Sequence, residues 1–278
     1  MVELVLEVEE ALSHPIAAVG VTVPGIIHMK KGTVELMPNF PDQWRGVALQ
    51  AYLKSILQLP VYMLNDARAA TYAEKKFGVA KPYDNFVSFI IGTGVGGGIV
   101  HKGQLLLGSR GVAGELGHQI VEPHGLPCGC GNRGCLETVV SGPAIVTAAI
   151  RYIKQGAQTN MRSLIQGDIN VLTPEIVNRA ALSGDAAALE IFQSVASYIN
   201  RAILNVKAIL NPEAIVFGGG VAQSELLLKM IKEEVKKNND VLFPHALGEM
   251  QIERSTFSDL SGAIGAAAWA IDLEERDV

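Results

Sequence analysis

Three cysteines close together in a polar loop have the clearest potential for chemistry in this sequence. Cys128, Cys130 and Cys135 are all the cysteines of the 278-residue chain, and they form a C-x-C-x4-C array. His118 and His124 are nearby candidates for a nitrogen ligand. Three thiolates and one imidazole form a closed, tetrahedral Zn²⁺ site with no open coordination position. The spacing therefore predicts a structural zinc ion rather than a metal that activates water.

Core packing and disulfide formation are two weaker interpretations of the cysteines. Free cysteine often serves as a small buried hydrophobic residue, but these three lie in a loop with Gly129, Gly131 and Gly134 and no aliphatic run. Glycine accepts the turns that wrapping a chain around a metal requires. A disulfide is disfavoured because the cysteine count is odd and the sequence shows no signal peptide, which favours a reducing cytosol. We therefore expect a metal site in a cytoplasmic protein.

The composition excludes several classes of partner. Hydrophobic residues make up 49% of the chain and charged residues 18%, as in a well-packed globular protein. A net charge of −5 offers no basic surface to a phosphate backbone, so we expect no nucleic acid partner. The longest apolar runs are short and rich in glycine, so we expect no membrane span. Small polar ligands remain compatible with this composition.

A carboxylate lies where a predicted strand meets a predicted helix. The strand covers residues 61–64, and the helix over 66–76 begins with Asn65 and Asp66. Ligands of open α/β sheets collect beyond the carboxyl ends of strands, which makes Asp66 a candidate catalytic group. Asparagine and aspartate are also preferred helix N-caps, and a capping role explains one of the two residues equally well.

Two glycine-rich turns are candidate phosphate sites. Residues 92–98 separate two β-rich runs, so we predict a hairpin in which backbone N–H groups and the Thr93 hydroxyl could hold phosphate oxygens. The Lys-Ser/Thr ending of a P-loop is missing, and a tight turn between strands explains the glycines as well. A second turn, residues 218–220, leads from a strand over 214–217 into a helix over 222–237, whose N-terminus suits an anion or a nucleotide ribose.

Five motifs, taken together, resemble the ROK family of sugar kinases and repressors, which has the actin-like ATPase fold. They are LNDARAA (64–70), IGTGVGGG (91–98), GELGH (114–118), CGCGNRGCLE (128–137) and IVFGGG (215–220). The resemblance extends from Pro24-Gly25 to the C-terminal helix and is greatest to glucokinases and N-acetylhexosamine kinases. It implies a two-lobed α/β (ribonuclease H-like) fold. The expected small lobe is 1–82 with the C-terminal helix 262–278, and the expected large lobe is 83–261 with a zinc loop at 118–135.

The resemblance also implies ATP-dependent phosphorylation of a hexose or N-acetylhexosamine, with Mg²⁺ accompanying ATP and a homodimer or higher homo-oligomer as the assembly. Asp66 would be the general base for the sugar hydroxyl, and His118 rather than His124 would complete the zinc site. The other sugar hydroxyls would be held by Asn39, Asn65, Glu115, His118 and Glu137. The nucleotide would be held by Thr93, Gly94, Gly218, Gly219 and Gly220.

One family feature does not occur in this sequence. ROK kinases begin with an Asp-x-Gly-Gly-Thr hairpin that grips the β- and γ-phosphates, so we expect a small lobe that is incomplete at its N-terminus and better support for sugar binding than for ATP turnover. The alternative is therefore a sugar-binding or sugar-sensing protein of the same fold without catalysis. Repression is a third possibility, although the family's repressors add a winged-helix domain. The motifs do not choose among glucose, mannose, N-acetylglucosamine and N-acetylmannosamine.

Overall fold

The computed structural model describes residues 2–12, 14–37, 43–237 and 249–277 of an α/β protein. The first elements are α1 (Val2–Ala11), β1 (Val19–Val23), β2 (Ile26–His28), β3 (Thr33–Leu36), α2 (Leu49–Leu57), β4 (Val61–Asn65) and α3 (Asp66–Phe77). Three strands follow: β5 (Phe86–Ile91), β6 (Val95–His101) and β7 (Gln104–Leu105). The rest are α4 (Glu137–Val140), α5 (Gly142–Lys154), α6 (Met161–Leu164), α7 (Pro174–Leu182), α8 (Ala186–Leu210), β8 (Ala214–Gly218), α9 (Glu225–Lys237), β9 (Gln251–Arg254) and α10 (Ser261–Asp277).

The chain divides into two compact units. Residues 1–84, 98–114 and 259–278 form the first unit, and residues 85–97 and 115–258 form the second. Within the described residues, no helix combines the length and the apolar character that crossing a bilayer would need.

In the first unit, two parallel strands carry the segment that ends at Asp66. β1 pairs with β4 in register from Val19 opposite Val61 to Val23 opposite Asn65. β2 and β3 form an antiparallel hairpin. The sequence predicts it from two β-rich runs, 26–29 and 33–36, on either side of the turn at residues 30–32. Helix α10 lies against α3 and β1, and small residues allow this approach. A Cβ atom on Gly265 would overlap the carbonyl oxygen of Ala69, so the helices meet through their backbones.

In the second unit, a parallel core positions the two glycine turns. β5 pairs with β8, and β8 pairs with β9, in both cases parallel. Phe89 and Phe217 stack with ring centroids 5.7 Å apart, and both are fully buried. Their burial fixes the register in which Ile90 lies opposite Gly218. The turns that follow β5 and β8 therefore leave the same edge of the sheet.

Side-chain caps begin several helices, and one strand starts earlier than predicted. Ser141 and Thr173 cap α5 and α7, each followed by proline in the first turn. The runs Ser141-Gly142-Pro143 and Thr173-Pro174 predict these helix starts, because proline is favoured at the first helical positions. The strand after the first glycine turn begins at Val95, although the β-rich run suggested Ile99. Gly97 makes the earlier start possible, because a side chain there would meet the Ser88 carbonyl and the Leu116 side chain.

Candidate functional site

Four side chains converge on one point in the second unit. One ligand atom from each of His118, Cys128, Cys130 and Cys135 lies within 4.8 Å of all the others. Cys130 Sγ is 3.6 Å from Cys135 Sγ, and Cys128 Sγ is 3.6 Å from His118 Nδ1. Ligand atoms about 2.0–2.3 Å from a tetrahedral zinc ion are themselves separated by roughly 3.5–3.8 Å. The donor set and its spacing therefore fit a closed zinc site.

Burial and mutual contact give the three thiols different acidities. Burial raises the pKa of Cys135 to about 12 and also raises the pKa of Cys128. A hydrogen bond from the backbone N–H of Asn132 lowers the pKa of Cys130, the exposed thiol of the three. A metal bound here would have to displace protons from the two buried thiols, since thiolates are the ligands.

The loop that carries the cysteines is held by its own backbone. Cys128 N–H donates to the Asn132 carbonyl at 2.8 Å, and Val121 N–H donates to the Gly134 carbonyl at 2.9 Å. Gly134 has φ +70° and lies so close to the Glu122 backbone that a Cβ atom would overlap it. This glycine is therefore required both for its conformation and for its small size.

The structure shows which of Asn65 and Asp66 caps α3. Asn65 Oδ1 accepts the N–H groups of Ala67 and Arg68 at 3.1 and 3.2 Å, and Asn65 Nδ2 donates to the Gly25 carbonyl at 3.1 Å. Asn65 is therefore the N-cap of α3. Asp66 is the first helical residue, and its side chain is exposed while Oδ1 also accepts the Ala67 N–H at 2.9 Å. The cap does not depend on Asp66.

The predicted sugar ligands are distributed over both units. Asn65 and Asp66 belong to the first unit, whereas Glu115, His118 and Glu137 belong to the second. Asn39 lies outside the described residues. Cys128 Sγ is 3.9 Å from Glu137 Oε1, so His118 and Glu137 both approach the same sulfur atom. Most of the hydrogen-bonding capacity of Asn65 is used by the cap and by Gly25.

The two glycine turns that carry the predicted nucleotide residues begin at one edge of the parallel sheet. Gly92 follows β5, and Gly219 follows the end of β8 with φ +84°. A Cβ atom on Gly219 would overlap the Ile91 carbonyl, so the second turn packs directly on the end of β5. Thr93 at the tip of the first turn is exposed. Backbone N–H groups at the carboxyl edge of parallel strands suit anionic ligands.

Sequence reasoning missed two contacts that support the site. Arg68 is 2% exposed, and its Nε donates to the Ala113 carbonyl at 2.8 Å, just before the GELGH motif. Glu137 Oε2 accepts the Val95 N–H at 2.8 Å across 42 residues of sequence. An arginine among alanines in LNDARAA was the only local signal for the first contact. Nothing in the sequence near Val95 or Glu137 indicates the second contact.

Comparisons with known proteins identify relatives over nearly the whole chain. The family model described as "ROK family" matches residues 1–273. The glucokinase of Thermotoga maritima is 36% identical over 270 residues, which are 96% of this chain and 82% of that protein. The crystal structure of a ROK family glucokinase from Streptomyces griseus, in complex with glucose and AMPPNP, has a TM-score of 0.84 at 30% identity and covers 98% of this chain and 87% of its own. The Escherichia coli repressor Mlc is 30% identical over 91% of this chain and 60% of its own length.

Proposed function

We propose, from the premise that this chain belongs to the ROK family and has its actin-like ATPase fold, that it is a hexose kinase that transfers the γ-phosphoryl group of ATP to a sugar hydroxyl. The observation that carries the proposal is the exposed carboxylate of Asp66, which follows a parallel strand and is not needed as the helix cap. The 36% identity to a glucokinase over four-fifths of that enzyme's length supports the same reaction.

In the proposed reaction, Asp66 accepts the proton of the attacking hydroxyl as that oxygen bonds to the γ-phosphorus and ADP leaves. Phosphoryl transfer needs mainly positioning and charge neutralisation, so the remaining residues have binding roles. Glu115, His118, Glu137, Asn65 and Asn39 would hold the other hydroxyls. The substrate is the complex of ATP with a divalent cation such as Mg²⁺, which neutralises phosphate charge. Thr93, Gly94 and residues 218–220 would contact the nucleotide.

The metal at the cysteine loop has a structural role in this proposal. His118, Cys128, Cys130 and Cys135 would hold one zinc ion, whose four protein ligands leave no position for substrate. Its contribution is to fix the loop that presents His118 and Glu137. We further propose that residues 1–82 with 262–278 and residues 83–261 are the two functional lobes, and that the protein works in the cytoplasm as a homodimer or larger homo-oligomer.

The proposal is tested by coupling ADP formation to NADH oxidation with a panel of hexoses. We expect turnover with at least one of glucose, mannose, N-acetylglucosamine or N-acetylmannosamine. Removal of Mg²⁺ should abolish that turnover. Absence of turnover with all four sugars, in protein that binds one of them, would contradict the kinase assignment.

That same outcome would favour the second candidate, a sugar-responsive regulator. Similarity to Mlc is the observation that supports it, although the chain spans three-fifths of Mlc. Isothermal titration with the same sugars distinguishes the two functions, because the regulator binds sugar without consuming ATP.

A further inference from the structure

Val95 belongs to the motif that the kinase assignment gives to the nucleotide, and it is contacted by two motifs that the same assignment gives to the sugar. The Val95 N–H donates to Glu137 Oε2 at 2.8 Å. On the other side, Gly117 of the GELGH motif lies so close to the Val95 carbonyl that a Cβ atom there would overlap it. Val95 itself is 3% exposed and begins β6, directly after the glycine turn at residues 92–94. The start of this strand is therefore fixed from both faces.

The other end of the glycine turn, at Gly92, is held by the segment that begins with Glu137. Gly142 N–H, at the start of α5, donates to the Gly92 carbonyl at 2.8 Å, and Gly92 N–H donates to the Gly94 carbonyl at 2.9 Å. Glu137 is the first residue of α4, which ends just before α5 begins. The 137–142 segment thus holds the turn at Gly92 and at Val95. The turn's position depends on where α4 begins.

The beginning of α4 is in turn fixed by the metal loop. Cys135 is two residues before Glu137, and Leu136 between them is fully buried. Leu136 N–H donates to the Gln119 carbonyl at 2.8 Å, and Thr138 Oγ1 donates to the Cys135 carbonyl at 2.7 Å. Glu137 Oε1 also lies 3.9 Å from Cys128 Sγ. A continuous set of contacts therefore leads from the metal ligands to the glycine turn.

We propose that Glu137 is a positioning residue for the nucleotide: its carboxylate holds Val95, and so the 92–94 turn, in the conformation that receives the ATP phosphates. This inference rests on the proposed kinase function and deepens it. It assigns to Glu137 a second role besides the one expected of it toward sugar. A carboxylate has four acceptor positions, and the Val95 N–H uses one of them, so the two roles are compatible.

The first test compares Glu137→Ala with Glu137→Gln. The glutamine amide oxygen can still accept the Val95 N–H, whereas alanine removes the acceptor. We expect Glu137→Ala to raise the dissociation constant for AMPPNP with Mg²⁺ about fivefold in the absence of sugar, the size of effect that one hydrogen bond supports. Glu137→Gln should stay within about twofold of wild type. Glucose affinity should fall in both variants, and Glu233→Ala on the surface of α9 is the matched control.

A second test uses Gly94, whose position makes it a probe of the same carboxylate. A Cβ atom on Gly94 would lie 2.6 Å from Glu137 Oε2 and near no atom outside Glu137 and the adjoining residues. Gly94→Ala should therefore displace the carboxylate from Val95 and weaken AMPPNP binding. In the Glu137→Ala background the same substitution meets no obstacle. The two substitutions together should therefore weaken AMPPNP binding by less than the sum of their separate effects.

Hydrogen exchange separates failure of this inference from failure of the kinase assignment. We expect Glu137→Ala, but not Glu137→Gln, to accelerate exchange of the amides in residues 92–97 without any ligand. Wild-type AMPPNP affinity and unchanged exchange in Glu137→Ala would overturn the positioning role while leaving the kinase intact. A wild-type protein that does not bind AMPPNP would overturn both the nucleotide role and the kinase assignment. Additive effects of Gly94→Ala and Glu137→Ala would also contradict the inference.

Discussion

At the scale of single residues, Asn65 rather than Asp66 caps α3, and this leads to a kinetic prediction for Asp66. We expect Asp66→Asn to lower kcat by about 10² to 10⁴, the usual contribution of a general base, and to change the sugar KM little. The helix should remain intact, because Asn65 still accepts the N–H groups of Ala67 and Arg68. Steady-state kinetics and thermal melting check both expectations, with Asp259→Asn on the surface as the control. A decrease in kcat of less than tenfold would show that Asp66 is not the base.

At the scale of secondary-structure elements, two glycines of α10 allow a test of how this helix packs. Gly265 faces the backbone of α3, where a Cβ atom would overlap the Ala69 carbonyl oxygen, whereas a Cβ atom on Gly262 would meet only Thr22, at an ordinary 3.6 Å. Alanine in a helix is otherwise favoured over glycine by about 1 kcal/mol. We therefore expect Gly262→Ala to be neutral or stabilising and Gly265→Ala to destabilise by more than about 2 kcal/mol. Urea unfolding of both variants measures the difference, and equal effects would contradict the observed packing.

A second prediction at this scale concerns the contact between α8 and the base of the metal loop. Tyr198 on α8 donates a hydrogen bond to Glu122, and Arg201 lies over the Tyr198 ring at 5.0 Å. The bond to Glu122, together with burial, raises the pKa of Tyr198. We expect Tyr198→Phe to lower the free energy of unfolding by about 1 to 2 kcal/mol at pH 7, as for a hydrogen bond to a charged group.

The pH dependence of that difference has a defined sign. A tyrosine whose pKa is higher in the folded chain than in the unfolded chain stabilises the fold fully below the unfolded pKa of about 10. The contribution is lost as pH rises through the folded pKa. Urea unfolding should therefore show the same difference between the wild type and Tyr198→Phe at pH 7 and 9, and a smaller difference at pH 10.5. Tyr52→Phe, at an exposed position, is the control. A difference that is constant with pH would mean that the hydroxyl is not responsible.

At the scale of the whole molecule, the sequence predicted what depends on local spacing. The four metal ligands lie within 18 residues, so their convergence could be inferred from the motif, and the hairpin at β2 and β3 follows from turn residues between short strands. The contact of Glu137 with Val95 depends instead on how the sheet and α4 are packed, which no local pattern encodes. The choice between Asn65 and Asp66 as the cap also required the structure, because both residue types cap helices well.

The position of the metal loop within the second unit predicts how the protein responds to loss of its metal. Phe89 and Phe217 stack within the sheet, and one face of α8 is buried, so the apolar core of this unit extends well beyond the two buried ligands, Cys128 and Cys135. Small zinc domains unfold without metal because they lack such a core. Here we expect chelation to leave the far-UV circular dichroism nearly unchanged and to open only the segment between His118 and Cys135, as a local unfolding event.

Limited proteolysis followed by mass spectrometry measures this local opening. New cleavage sites between residues 119 and 134 should appear after chelation and in Cys130→Ser, and zinc should suppress them in the wild type alone. Protection should be lost without a matching loss of helix signal, because α8 and the parallel strands are stabilised by apolar burial rather than by the metal. Complete unfolding on chelation would show that the metal contributes to the global stability of the chain. An unchanged cleavage pattern, in protein shown to have lost its zinc, would mean that the loop is held by its backbone hydrogen bonds alone.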